Sequence, residues 1–136
     1  MEKLEDSYRA RGLRKQLIKE VKRKGIKDEA VLSAMSEIPR HFFFDSIFLE
    51  HAYEDKAFPI GEGQTISQPY TVAFQTQELE VRHGSKILEI GTGSGYQAAI
   101  LCKLGARVYS IEYNETLYNR TRKFLPKMGY KPTLLL

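Results

Sequence analysis

The nine residues Leu88–Tyr96, LEIGTGSGY, constrain the fold of this chain more than any other stretch. A short apolar run, KILEI from Lys86 to Ile90, leads into them, and QAAILCKLG follows. Gly91, Gly93 and Gly95 let the backbone turn tightly and approach a ligand closely, so the spacing predicts a strand, a glycine turn and a helix that stops at Gly105. ARVYSIE, ending at Glu112, predicts a second strand. Asn114 is placed to cap a helix through Lys127 that Gly129 closes, and KPTLLL starts a third strand. Strands alternating with helices of this length imply right-handed βαβ units and a parallel sheet, an α/β Rossmann-like fold. Three strands leave one raw edge and little covered surface, so a chain truncated after the third strand is expected.

The residues before Gly84 pattern differently. Leu13, Leu17, Ile18 and Val21 form one stripe of an amphipathic helix over Arg9–Lys24. Gly25 follows it, and Asp28 suits the N-cap of a second helix that buries Val31, Leu32, Met35 and Ile38 before Pro39. Phe42, Phe43, Phe44 and Phe48 read as core aromatics. Tyr53 to Ser67 reads as loop, with Ser67 as the cap of a further helix carrying Pro69, Val72, Phe74 and Leu79. The chain thus divides into an N-terminal helical and substrate-loop region, residues 1–83, and the first half of a cofactor-binding sheet, residues 84–136, within one domain.

Bulk properties narrow the classes. At 136 residues the chain suits one domain, and its apolar runs fall far short of a membrane span. The charged start, MEKLEDSYRARGLRKQ, lacks the apolar core of a signal peptide, and the lone Cys102 excludes an internal disulfide framework and a cysteine-based zinc site. A cytoplasmic location is the default expectation, with no membrane association. The net charge of +4 concentrates in Arg9, Arg11, Arg14, Lys15, Lys19, Lys22, Arg23, Lys24 and Lys27, read as a solvated helix face. Only Tyr8 interleaves those charges, so no base-stacking platform is suggested.

The glycine loop limits the cofactor. A plain tight turn without a ligand is the bland reading, but Glu112 ends the next strand where a carboxylate suits the two hydroxyls of a ribose. A dinucleotide fingerprint is G-x-G-x-x-G, whereas here the third glycine comes one residue early. Glu89 lies two residues before Gly91, where a carboxylate would repel a pyrophosphate and favour an ammonium or sulfonium charge. S-adenosylmethionine carries both charges and no phosphate. The E-x-G-x-G-x-G pattern therefore favours that cofactor over a nicotinamide, and predicts a class I methyltransferase. Ser67-Gln68-Pro69-Tyr70 is a distant echo of the N-P-P-Y motif of base amino-methyltransferases. It lacks the first proline and precedes the glycine loop, so a nucleic-acid acceptor is disfavoured.

PRHFFFD, YEDKAFPIGEGQTISQPYTVAFQTQEL, KILEIGTGSGYQAAIL and VYSIEYNETL together resemble the protein-L-isoaspartate (D-aspartate) O-methyltransferase family, from Gly25 nearly to the end of the chain. PIGEGQTISQP is the part most specific to that family. The resemblance implies a class I fold, S-adenosyl-L-methionine as cofactor, and methyl transfer to the free carboxylate of L-isoaspartyl residues in damaged proteins. The ester then collapses to a succinimide, which opens in part to normal aspartate. It implies Ser67 as the catalytic residue, contacting the acceptor carboxylate, and Thr65 and Ile66 as its substrate-binding neighbours. It also implies Tyr70, Glu89, Gly91, Thr92, Gly93, Ser94, Gly95 and Glu112 as the cofactor-binding set, with no metal. The acidic G-D-G element of the family would follow the third strand. The expected partners are isoaspartyl proteins and peptides, and the expected state is a monomer. The alternative is a methyltransferase using the same cofactor on nucleic acid or a small molecule.

The acceptor chemistry explains a loop without a base. A carboxylate with a pKa near 4 is already ionised at neutral pH, so transfer to it needs alignment and no general base. Ser67 can donate one hydrogen bond to orient it. His41, His51 and His83 are scattered and read as surface or packing residues.

Overall fold

The computed structural model describes residues 5–44 and 48–136. The start of the N-terminal region and Asp45, the last residue of PRHFFFD, lie outside the described residues.

Helix α1, Tyr8–Arg23, is capped by Ser7, whose Oγ accepts from the Ala10 amide at 3.1 Å. It buries Ala10, Arg14, Leu17 and Val21, while Leu13 and Ile18 flank the stripe. The basic face is therefore not wholly solvated. Arg14 is buried, and its guanidinium grips Asp6 through Nη1–Oδ1 at 3.0 Å and Nη2–Oδ2 at 2.8 Å. Helix α2, Glu29–Glu37, starts where Asp28 accepts from the Ala30 and Val31 amides. Ile38 is fully buried as its cap. A single 3-10 turn, Arg40–Phe43, and a one-turn helix α3, Leu49–Ala52, follow. Of the phenylalanines read as core, Phe43 is buried, but Phe42, Phe44 and Phe48 are only half-buried and line an open cleft. Aromatics in one sequence cluster cannot all face one core when the local backbone is a tight turn.

Tyr53–Ser67 is not a plain loop. Strands β1, Phe58–Gly61, and β2, Gln64–Ile66, pair antiparallel, Phe58 opposite Ile66 and Gly61 opposite Gln64. Both turn residues, Glu62 and Gly63, take positive φ (56° and 68°), the sign that two-residue hairpins of twisted strands require. Helix α4, Pro69–Glu78, has Gln68 as N-cap, with Pro69 in its first turn. Ser67 is not the cap: it sits one residue outside, and its carbonyl is held by Arg40. The buried side of α4 is Val72, Ala73 and Thr76, whereas Phe74 and Leu79 are exposed. Thr76 can be buried because its hydroxyl donates to the Val72 carbonyl at 2.7 Å.

The second part matches its pattern closely. Strand β3 is Lys86–Ile90, helix α5 is Tyr96–Lys103, strand β4 is Arg107–Ile111, helix α6 is Glu115–Lys127 and strand β5 is Thr133–Leu135. The strands run parallel in the order β3-β4-β5. Asn114 caps α6 by accepting from the Leu117 amide at 3.0 Å. The pleat sorts side chains by alternation. Ile87, Glu89, Val108, Ser110 and Leu134 share one face, with Val108 and Ser110 fully covered. Leu88, Ile90, Tyr109 and Leu135 share the other face and stay exposed, Ile90 by 74%. Helix α2 packs on α4 and α5, so both parts share one apolar core. No helix among the described residues is long and apolar enough to cross a membrane.

Candidate active site

The turn between β3 and α5 carries the glycine loop. Gly91, Gly93 and Gly95 all take positive φ, at 92°, 55° and 87°. At Gly95 the requirement is doubled, since a Cβ there would meet Thr121 Cγ2 at 2.9 Å and the Leu125 methyls at 3.1 and 3.2 Å. Two side chains fix the loop from outside. Thr121 Oγ1 donates to the Gly93 carbonyl at 3.0 Å, and the Glu112 carboxylate accepts the Gly93 amide at 2.8 Å.

A cavity of about 310 Å³ opens beside this loop. Glu89, Gly91, Thr92, Gly93 and Ser94 line one wall; Thr65, Ile66 and Ser67 line another, with Tyr96 and Gln97 between. The hairpin and the glycine turn, some 25 residues apart in sequence by the predicted sites alone, thus meet at one volume. A larger cavity of about 490 Å³ lies across the hairpin and is lined chiefly by phenylalanines, with Arg120 and Ser94. The smaller cavity holds the polar groups a reaction needs, and it is the candidate site.

Glu89 is the charged group of this cavity. Burial drives its carboxyl from an ordinary 4.5 up to about 7, against the hydrogen bond from Ser110, and the nearby Glu112 pushes the same way. Ser110 Oγ donates to Glu89 and also lies 2.6 Å from Thr92 Oγ1, so strand β4 supports the carboxylate from below. Among the described residues, no basic side chain lines the cavity. Such a donor set disfavours a phosphate and suits a ligand carrying positive charge.

Some predicted residues take other places. Glu112 is buried beneath the loop, and its two oxygens accept the Gly93 and Asn114 amides at 2.8 and 3.0 Å. It shapes the loop and does not line the cavity. Gly95 faces α6 and serves packing. Tyr70 lies outside the cavity, its amide donating to Asp55 and its ring stacked on Phe74. None of the histidines lines the cavity: His41 bonds Tyr53 and the Glu5 carbonyl, His51 stacks on Phe58, and His83 abuts Gly105.

Three contributors have no signal in the sequence pattern. Ser110 is an ordinary polar residue in a strand. Gln97 follows the motif and is anchored by donating to Thr76 Oγ1 at 2.9 Å. Arg40, which holds the Ser67 carbonyl at 2.9 Å, comes from the PRHFFF turn far upstream.

Comparison with known proteins identifies the family and the fold. The family model described as Protein-L-isoaspartate(D-aspartate) O-methyltransferase matches residues 12–135. The chain is 61% identical over 132 residues to the protein-L-isoaspartate O-methyltransferase of Christiangramia forsetii, covering 97% of this chain and 62% of that protein. It is 58% identical over 128 residues to the protein of the same name from Cytophaga hutchinsonii, covering 94% and 58%. A solved protein-L-isoaspartate O-methyltransferase superposes with a TM-score of 0.79 at 29% identity, over 90% of this chain and 41% of the other. A putative enzyme of that name from Plasmodium falciparum, solved in complex with S-adenosyl-L-homocysteine, gives 0.73 at 25% identity, over 90% and 62%. The chain spans about three fifths of the length of the curated relatives it matches.

Proposed function

The chain belongs to the protein-L-isoaspartate (D-aspartate) O-methyltransferase family, and on that premise we propose that it serves S-adenosylmethionine-dependent methylation of isoaspartyl carboxylates in damaged proteins. One observation carries the reading: Thr65, Ile66 and Ser67 share a cavity with Glu89 and the glycine loop. An acceptor held by the first set would lie against a cofactor held by the second.

Glu89, Gly91, Thr92, Gly93 and Ser94 are the residues placed to hold the cofactor, and Glu112 and Gly95 shape the loop that does so. When bound there, S-adenosylmethionine would supply a methyl group on a cationic sulfur, open to attack by a carboxylate oxygen that is already ionised. No proton moves, which is why a cavity without histidine suffices. Ser67, exposed on the cavity wall, donates its hydroxyl to the acceptor carboxylate and sets its angle. Ionised Glu89 attracts the positive end of the cofactor. Tyr70, three residues beyond Ser67, is assigned to the cofactor's outer edge, outside the cavity wall.

The reading includes a division of labour within one domain: residues 1–83 present the acceptor and residues 84–136 hold the cofactor. It places the protein in the cytoplasm as a monomer, where one cysteine, half-buried Cys102, suits a reducing compartment.

The test uses the full-length protein with paired peptides. An isoaspartyl peptide takes up labelled methyl as a base-labile ester, and the matched aspartyl peptide does not. Equal labelling of both, or label in RNA or a small molecule alone, refutes the assignment.

A further inference from the structure

Two buried guanidiniums in this molecule are treated very differently. Arg14 is neutralised by a bidentate pair with Asp6 and also donates to the Ser36 carbonyl and the Tyr53 hydroxyl. Arg40 is more deeply buried, 1% exposed, and among the described residues no carboxylate lies within ion-pair distance of it. Its Nε donates to the Ala52 carbonyl and its Nη2 to the Ser67 carbonyl, both at 2.9 Å. Its Nη1 is buried without a hydrogen-bond partner. The guanidinium plane is flanked by the Tyr96 ring at 4.7 Å and the Phe44 ring at 5.4 Å. Asp55, whose field reaches it, is itself paired with Lys24 and accepts the Tyr70 amide.

Burial disfavours the charge and pulls the Arg40 pKa down, with Tyr96 opposing, yet an arginine stays charged at neutral pH. A buried charge with no carboxylate in ion-pair distance among the described residues is costly and is retained where something compensates. Of the four residues its guanidinium meets, Ser67 and Tyr96 line the candidate cavity. Arg40 therefore sits one layer behind the acceptor wall, while Glu89 sits on the glycine-loop wall.

We propose that Arg40 is a positioning residue for the acceptor: its buried positive charge draws the substrate carboxylate to Ser67, and its bond to the Ser67 carbonyl holds that residue in place. The proposal rests on the isoaspartyl reading above and deepens it. The cavity is polarised, anionic where a cationic cofactor belongs and cationic behind the seat of an anionic acceptor. At an effective dielectric near 20, a charge one layer behind the acceptor contributes on the order of tenfold in affinity.

The chemistry separates this role from a structural one. The acceptor loses its charge as the ester forms, so a nearby cation stabilises the bound ground state at least as much as the transition state. Its removal should raise KM and leave kcat nearly intact.

The experiment takes the full-length protein, its Arg40→Met and Arg40→Lys variants, an isoaspartyl peptide, and the same peptide with the acceptor carboxylate replaced by a carboxamide. Calorimetry on the wild type should show the anionic peptide binding about tenfold or more tighter than the neutral one. Arg40→Met should reduce that preference to about twofold and raise KM about tenfold, with kcat within about twofold, and Arg40→Lys should recover most of both. If Arg40→Met does not fold, the wild-type preference and the Arg40→Lys kinetics decide. Equal binding of the two peptides by the wild type, an undiminished preference in Arg40→Met, or a loss in kcat that Arg40→Lys does not rescue overturns the proposal. Methylation of no isoaspartyl peptide by the wild type overturns the acceptor reading and this proposal with it, whereas methylation with an unchanged KM in Arg40→Met overturns this proposal alone.

Discussion

The two walls of the candidate site are built by different means. The glycine wall is assembled mostly from neighbours in sequence: β3, the loop and α5 follow one another, and the supporting Glu112 lies at the end of the next strand. The acceptor wall is held from afar. Its hairpin strand ends at Ile66, and the residue that follows is fixed by Arg40 from a turn before it and by the packing of α4. One wall is a local backbone shape of positive-φ glycines, with no room for a Cβ at Gly95; the other is a polar surface whose geometry depends on long-range bonds. Damage to the first should appear as lost stability and cofactor binding, and damage to the second as lost turnover on an intact fold.

The hardest break is Gly95→Ala. The new Cβ would lie 2.9 Å from Thr121 Cγ2, at a φ of 87°. Left-handed strain and overpacking together should cost about 3 kcal/mol, read as a lower urea midpoint at constant slope. An unchanged midpoint would mean that the loop rearranges freely, and the contrast between the walls would fail.

Glu89→Gln probes the same wall by pH. The carboxyl rises from 4.5 to about 7 on folding, so the folded state holds more protons than the unfolded state between those values. Its contribution is fully present below pH 4.5 and is lost as pH rises through 7. Above that, the ionised group costs up to about 3 kcal/mol, which the glutamine variant avoids. The variant should be more stable than the wild type at pH 8, equal to it at pH 4, and a weaker binder of S-adenosylmethionine. A parallel stability profile for the two proteins would contradict the burial of that carboxylate.

Glu112→Gln should cost about 2 kcal/mol, because one amide of the loop then faces a donor in place of an acceptor. Calorimetry should show S-adenosylmethionine affinity falling with it. A fall in affinity with stability intact would restore a direct contact to the cofactor.

The smallest effect expected is on the acceptor wall. Ser67→Ala should lower kcat about tenfold, roughly 1.4 kcal/mol in the barrier, while cofactor affinity and urea midpoint stay constant. Turnover equal to wild type would leave Ser67 as a mere wall residue.

The sequence read differently well on the two sides. Alternating apolar strands, Asn114, Gly105 and Gly129 mark the βαβ part because each acts within a few residues of its own position. Asp28 and Gly25 mark the helix junction before it for the same reason. The hairpin was missed because its turn is Glu62-Gly63, where the usual Asn-Gly or Asp-Gly signal is absent and a glutamate takes the positive φ. Phe74 and Leu79 read as part of the apolar side of α4, yet both are exposed and the helix buries Thr76, whose hydroxyl finds a carbonyl one turn back.

The sequence by itself determined the α/β class and the glycine turn, and it carries the Glu89 charge and the PIGEGQTISQP segment on which the proposed cofactor and acceptor walls rest. These are properties of consecutive residues, set by backbone freedom, alternation and local charge. The tertiary structure alone decided that Glu112 braces the loop from beneath, that Tyr70 stands aside, and that Arg40 lies buried behind Ser67. Each of those depends on which side chains meet across tens of residues, and burial sets the energy of a charge only once the chain has closed around it.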